Sequence, residues 1–490
     1  MLTVITILLG VFCSAMEALV TATIMPTIIS ELGGFSLYPW ISNAFMLASV
    51  VTTPFAGALA DAFGYKKCYI CAVILFLLGS FFCGFASSMP ELIAARVFQG
   101  FGSSALLTLS LVLFGALFSI EKRAKMQALI GAMWALASIL GPALGAFLTS
   151  KLSWQWAFWV NIPFGLLILL FFLFRAEIKE PARKPFRMDF RGGVLFSLGT
   201  LGLVYGLLKV GKLHLELLDW CLFAAGIGFL SYFFFSRKKM EHPFIPLYLF
   251  ENRAITLPVM LTFFAGLFLF CVASFTPLFV QGVLGGAAST AGKVVTAVAV
   301  GSFTGSLISG TLLNRTGFRL MSIMGVALAA FGFLHLYQQG SHTTLLLLML
   351  GNFLVGCGVS ALANTNTVAV QAVSPPELLG SSTSMISFAR TFGGMIGITI
   401  MGGLQLGLFQ SGLVDSGKVA PHEISYFSQQ LFDPLQRQTL SQEQLSVLVQ
   451  AFTHSLHGVF AGCGVLALLS LIFSIQMPNL TPKEAAENNV

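Results

Sequence analysis

Long apolar stretches separated by short polar gaps run through almost the whole chain, and their length sets the first expectation. Reading runs of about 20 residues as membrane-spanning helices gives fourteen of them. They cover 3–28, 39–60, 68–87, 91–118, 125–149, 156–175, 191–210, 217–236, 254–281, 290–313, 320–338, 343–372, 380–410 and 455–476. The twelfth and thirteenth are interrupted by glycine and polar residues, which blurs their ends by several positions. The expected fold is an all-α membrane protein.

The gaps carry a second pattern. If the N-terminus is inside and the spans alternate, 18 Lys and Arg residues fall on inner segments, against Lys151, Lys212, Lys418 and Arg437 outside. That bias is the positive-inside signature, and with an even number of spans it puts both termini in the cytoplasm.

One gap is repeated. Gly57-Ala58-Leu59-Ala60-Asp61-Ala62-Phe63-Gly64-Tyr65-Lys66-Lys67 has a worn copy in Gly310-Thr311-Leu312-Leu313-Asn314-Arg315-Thr316-Gly317-Phe318-Arg319. In both, a leucine, an Asp or Asn, a second glycine and a basic residue follow the first glycine at matched intervals. A loop repeated at equivalent places in a hydrophobic chain points to two related membrane halves, the build of a transporter. The copies lie 310 − 57 = 253 residues apart, more than six spans need. The surplus is explained by two helices inserted between two six-helix bundles. The expected organisation is 1–175 for the first half, 176–253 for the linker with the inserted helices, 254–476 for the second half and 477–490 for a cytoplasmic tail.

Composition agrees with this class. The chain is 56% hydrophobic and 9% charged, with 48 phenylalanines, too little charge to cover a soluble surface. The net charge of +7 follows topology rather than nucleic-acid binding. The first apolar run is too long for a signal peptide and lacks a basic start and a small-residue cleavage site, so it reads as a span. Cys68-x-x-Cys71 has no second cysteine pair, so packing is expected there and no metal. Residues 176–190 read as a solvated inner linker. The polar stretch 411–453 reads as an outer segment with a short surface helix over 441–450.

Ionisable groups at membrane depth cost about 2.5–3.5 kcal/mol each, so each needs a reason. Among the acids only Glu17 lies in the middle of a span. Lys209 and Lys293 lie near span ends and can reach the surface. Arg96 and Arg390 are deeper. A carboxyl at Glu17 can take up and release a proton. Arg96 is either its static partner or a partner that is made and broken with conformation. In the loop motif, Gly57 and Gly64 allow close approach and a tight turn, while Asp61 can accept from the N–H groups at a helix start. With Lys66 beside it, and Asn314 and Arg315 in the copy, this reads as a latch on one face. Gly141-Pro142-Ala143-Leu144-Gly145 interrupts the fifth span, so a kink or hinge is expected at Gly141, Pro142 and Gly145.

With these residues in view, the chain resembles the fourteen-helix drug:proton antiporters of the major facilitator superfamily. Gly57 to Lys67 is similar to the signature of the loop between helices two and three. Arg96-Val97-Phe98-Gln99-Gly100-Phe101-Gly102 resembles the fourth-helix motif whose arginine takes part in proton transfer. Gly141 to Gly145 is similar to the fifth-helix motif of exporters. Met16 to Pro26, Trp154 to Pro163 and Arg390-Thr391-Phe392-Gly393-Gly394 resemble further signatures. Tyr65 and Gln155 stand where arginine is usual, and Ala146 replaces a glycine.

The resemblance implies a proton-coupled exporter of small amphipathic compounds or drugs in the cytoplasmic membrane, working by alternating access. Its expected partners are the small-molecule substrate, protons and the lipid bilayer, with no nucleic acid, and it is expected to act as a monomer. No cofactor is expected, the proton gradient being the energy source. Candidate cavity residues are Asn43, Trp134, Asn364, Asn366, Gln371 and Arg390. A transporter of one endogenous metabolite or lipid is the alternative. An ATP-driven pump is disfavoured, because Ala287 to Val294 lacks the first glycine and the final Ser or Thr of a phosphate loop. An enzyme is disfavoured because His454 and His457, the one close histidine pair, have no carboxylate or thiol beside them.

Overall fold

Each apolar run of the sequence lies on a helix in the computed structural model of the chain. The structure describes residues 2–33, 39–175, 189–210, 217–237, 247–416 and 437–487, with 37, 178, 240 and 431 standing between them. Among the described residues there is no strand. Helices satisfy their own backbone hydrogen bonds, which a hydrocarbon surrounding requires. Among the described residues, twelve helices are long and apolar enough to cross a membrane. The chain is a multi-pass membrane protein.

The first group comprises α1 (Leu2–Leu32), α2 (Pro39–Phe63), α3 (Tyr65–Phe85), α4 (Met89–Leu117), α5 (Ile120–Lys151), the short α6 (Trp156–Trp159) and α7 (Asn161–Phe174). Its interior is packed around Phe76, Phe114 and Phe172 towards one end and Ile24, Trp154 and Phe158 towards the other. After α8 (Phe190–Val210) and α9 (Leu217–Arg237) comes a second group. It consists of α10 (Arg253–Leu278), α11 (Ala288–Tyr337), α12 (Leu345–Val373), α13 (Leu379–Asp415), α14 (Gln442–Gln476) and the short α15 (Pro482–Glu487). Phe268, Phe279, Phe333 and Phe460 lie in its core.

The tenth and eleventh spans are two helices that adjoin in α11 and part at Gly317, with φ 75° and ψ 176°. A β-carbon disfavours that left-handed φ, so the motif's second glycine is where the two helices can part. The surface helix expected over 441–450 is not separate but forms the first turns of α14. Ser441 and Gln444 cap each other's backbone N–H there, at 3.2 and 3.1 Å. No proline follows before Gln476 to stop the helix. Most of the 176–190 linker, and residues 417–430 and 432–436, lie outside the described residues.

The two groups meet along two seams, α2 against α13 and α5 against α11. Each seam is tight at the first glycine of a loop motif. A side chain at Gly57 would strike the Gly380 carbonyl and Ser384, and one at Gly310 would press on Ala124 and Ala128. The pair α8 and α9 pack on each other through Gly202 and Gly226. Their free ends are tied by an Arg237–Asp189 ion pair at 3.3 Å. This pair covers the α2–α13 seam. Phe196 and Phe233 join one apolar cluster with Val50, Ala58 and Phe388.

Candidate functional site

Glu17 lies mid-way along α1 and is 1% exposed. Arg96 Nη1 on α4 donates to its Oε1 at 2.6 Å, forming an ion pair. Thr21 Oγ1 donates to the same oxygen at 3.1 Å. Asn161 Nδ2, at the start of α7, donates to Oε2 at 2.5 Å. Arg96 is itself 2% exposed and donates from Nη1 to Gln99 Oε1 at 2.6 Å and from Nε to the Ile41 carbonyl at 3.3 Å. Its guanidinium carbon lies 4.3 Å from the centre of the Phe45 ring. Gln99 is held in turn by its own bond to Ser80 Oγ, at 2.9 Å. Buried charges persist only when paired and hydrogen-bonded, and here both conditions are met. One carboxyl group thus links α1 with α4 and α7, and through Arg96 with α2. Its charge state bears on four helices.

Asp61 occupies the last turn of α2 and reaches the other group. Its carboxylate accepts from Gly380 N at 2.7 Å, Ser381 N at 2.6 Å and Ser381 Oγ at 2.7 Å, in the first turn of α13. The first N–H groups of a helix lack partners within it and sit at the positive end of its dipole, so an anion fits there. The copy reaches across the other seam, where Asn314 Nδ2 donates to the Glu121 carbonyl at the start of α5, at 2.8 Å. Gly64 has φ 98°, left-handed like Gly317. Lys66 is half-buried beside the first motif and Arg315 is exposed beside the second. Arg319 donates to the Met477 carbonyl at the end of α14, at 2.7 Å.

Further bonds close the same region. Arg123 Nη1 donates to the Gln371 carbonyl at 2.7 Å, and Gln371 Nε2 to the Leu111 carbonyl at 3.2 Å. Asn364 Nδ2 donates to Ser309 Oγ at 2.7 Å and to the Ala124 carbonyl at 3.2 Å. Among the described residues, the hydrogen bonds between the two groups all lie in the half that the Lys/Arg pattern assigns to the inside. That half is held shut in this structure.

Other sequence candidates fall differently. Gly141, Pro142 and Gly145, where a kink or hinge is expected, lie within the helix α5. Gly141 is buried against Leu19 and Met16 of α1, so its lack of a side chain serves helix packing. Asn364 and Gln371 lie at the closed seams, where their amide nitrogens donate across helices and their amide oxygens have no partner. Asn43 and Trp134 are half-buried on α2 and α5. Asn366 is 0% exposed and neither amide atom has a partner. Arg390 is half-buried on α13 and makes no hydrogen bond or ion pair. A separate apolar cavity of about 740 Å³ lies between α8, α9, α10 and α13, walled by Phe196, Phe263, Phe264, Phe388 and Phe392.

Residues 7–398 match the model of the Major Facilitator Superfamily. The chain belongs to this superfamily. It is 32% identical to Multidrug resistance protein 3 of Bacillus subtilis (strain 168) over 485 residues, covering 96% of this chain and 93% of the relative. The Multidrug transporter protein MdtP of the same organism is 32% identical over 421 residues, covering 85% of this chain and 77% of its own length. Among solved structures, the human organic anion transporter MFSD10 (TETRAN) superposes with TM-score 0.66 at 16% identity, covering 96% of this chain and 98% of that one. The proton:xylose symporter XylE superposes with TM-score 0.65 at 15% identity, over 99% and 98% of the two chains. The fold is that of the superfamily, and the protein is a transporter.

In this major facilitator protein, several polar residues that complete the site were not singled out from the sequence. Asn161 and Gln99 lie inside the stretches Trp154 to Pro163 and Arg96 to Gly102, so a signal for both was present. Thr21 is one helical turn after Glu17, the spacing at which side chains on a helix meet. Ser381 and Arg123 carry no local sign of their role, since each acts on a segment hundreds of positions away.

Proposed function

We propose that this transporter exports small amphipathic compounds from the cytoplasm in exchange for protons, in the cytoplasmic membrane and with both termini inside. The observation that carries this reading is the Glu17–Arg96 pair, buried and shared among α1, α4 and α7. In the closed-inside state the carboxylate is ionised and held by Arg96. A proton arriving from outside would neutralise Glu17, release Arg96 and loosen the contacts of α1 with α4 and α7. Opening the inner side then requires Asp61 to leave the start of α13 and Asn314 to leave the start of α5. Proton release to the cytoplasm restores the pair. The multidrug names of the 32%-identical relatives support drug export over a single endogenous metabolite.

The test is a drug-susceptibility screen of an efflux-deficient bacterium expressing the chain, paired with efflux from proteoliposomes under an imposed pH gradient. Resistance to several amphipathic compounds, with efflux that stops when the gradient is collapsed by a protonophore, is expected. Unchanged susceptibility to every compound, or efflux indifferent to the gradient, overturns the reading.

A further inference from the structure

The charges buried in the helices leave one cation over. Among the described residues, Glu17 is the acid placed away from helix ends, and Arg96 neutralises it. The other described Asp and Glu residues fall in the first or last turn of a helix or between helices. Arg390 stands about three turns into α13 and has no anion of its own. A guanidinium at that depth is retained only where something compensates it.

Its surroundings indicate what does. Val370 of α12 and Ile386 of α13 share one apolar cluster with Ile255 of α10. α12 and α13 run in opposite directions, so Asn366 on α12 and Arg390 on α13 each lie one helical turn outward from that cluster. Asn366 is 0% exposed, and its Oδ1 and Nδ2 both lack partners. Ser387, one turn before Arg390, is 3% exposed and its Oγ also lacks a partner. Arg390 lies on the opposite side of α13 from Phe388, so it is not part of the aromatic cavity. A fixed cation, a carboxamide and a hydroxyl therefore lie at one level of α12 and α13, without partners among the described residues.

We propose that Arg390, with Asn366 and Ser387, forms the head-group site for cargo, and that the cargo class is amphipathic anions: an apolar body bearing a carboxylate, sulfonate or phosphate. This rests on the exporter reading and narrows its substrate. A guanidinium fork matches the two oxygens of such a head, and the amide and hydroxyl supply further donors. A permanent organic cation would meet a like charge here and no free acid. An inside-negative membrane potential also favours outward movement of an anion.

The test uses the full chain in phosphatidylcholine nanodiscs with two probes that share an aromatic body, pyrenebutyrate and pyrenebutyl-trimethylammonium. Pyrenebutyrate is expected to bind roughly tenfold to a hundredfold more tightly, the worth of a charge-assisted pair. Arg390→Gln removes the preference and Arg390→Lys keeps part of it, because a lysine retains the charge without the fork. An arginine with a merely structural role would shift both probes alike. Equal or tighter binding of the ammonium probe overturns the proposal, as does an undiminished preference in Arg390→Gln. Loss of pyrenebutyrate binding in phosphatidylglycerol discs would make a lipid head group the occupant and overturn the cargo assignment. The binding assay needs no proton gradient, so absent gradient-driven efflux would sink the exporter reading while leaving the charge preference standing.

Discussion

Glu17 shows how much one side chain can control when it is withdrawn from water. Its two oxygens together receive Arg96, Thr21 and Asn161, so protonation removes the ion pair to α4 and weakens the bonds to α7 and to the next turn of α1 itself. Glu17→Gln keeps the shape and deletes the charge. Efflux driven by a pH gradient in proteoliposomes should fall to background, while binding of cargo survives. The variant also strands Arg96, and breaking a buried pair costs about 3–5 kcal/mol, so thermal unfolding should come earlier. Adding Arg96→Gln should restore much of the stability but none of the efflux. Full gradient-driven efflux in Glu17→Gln would remove Glu17 from coupling. Asn161→Ala leaves the ion pair intact and takes one donor from the carboxylate, a bond to a charged group worth about 1.5–3 kcal/mol. Efflux at an intermediate rate is expected, and a rate equal to wild type would make Asn161 a packing residue.

Helix ends carry the next level. Asp61 neutralises the start of α13 from the opposite group, whereas Asn314 crosses the other seam as a donor, to the Glu121 carbonyl at the start of α5. Asp61→Asn keeps the size but loses the charge and one acceptor oxygen, so turnover should slow by about tenfold with folding retained, given the strength of charge-assisted bonds. Turnover unchanged in a transport assay would reduce the motif to a turn. Gly64→Ala and Gly317→Ala each force a β-carbon into a left-handed conformation, at about 1–2 kcal/mol. Lower unfolding temperatures check this.

The elements themselves were largely legible, because a hydrocarbon surrounding leaves the backbone few options besides the helix. The α11 turn was legible too, although from the motif's second glycine rather than from hydropathy. The continuity of α14 was not, because the polar composition of the helix expected over 441–450 hides that it runs on into the last span. For the site, the acid and the arginine were visible as charges out of place. Asn364 and Gln371 could not be assigned to a seam or a wall, since an amide on a buried helix face looks the same in either. Only the fold shows which carbonyl it meets.

At the scale of the whole molecule, the proposed alternating access requires the two seams to come apart on the side that the Lys/Arg pattern assigns to the inside. The closed state is held by contacts placed alike on both seams: the end of a second helix of one group rests on the start of a fifth helix of the other. Among the described residues, the pair α8 and α9 lies over the α2–α13 seam, through Phe196 and Phe388, whose ring centres are 5.1 Å apart. The α5–α11 seam has no such cover among the described residues, which makes it the better place to lock the molecule. Asn314→Cys with Glu121→Cys, in a background where the eight free cysteines are replaced, sets two thiols on either side of the 2.8 Å contact. Linking them with a short bifunctional thiol reagent should arrest efflux, and a cleavable linker should let reduction restore it. Cargo binding from the outer side should persist in the linked form, since only the inner side is pinned. If the linked protein still transports at its unlinked rate, the inner seam does not open during the cycle, and alternating access between these two groups of helices is not how cargo crosses.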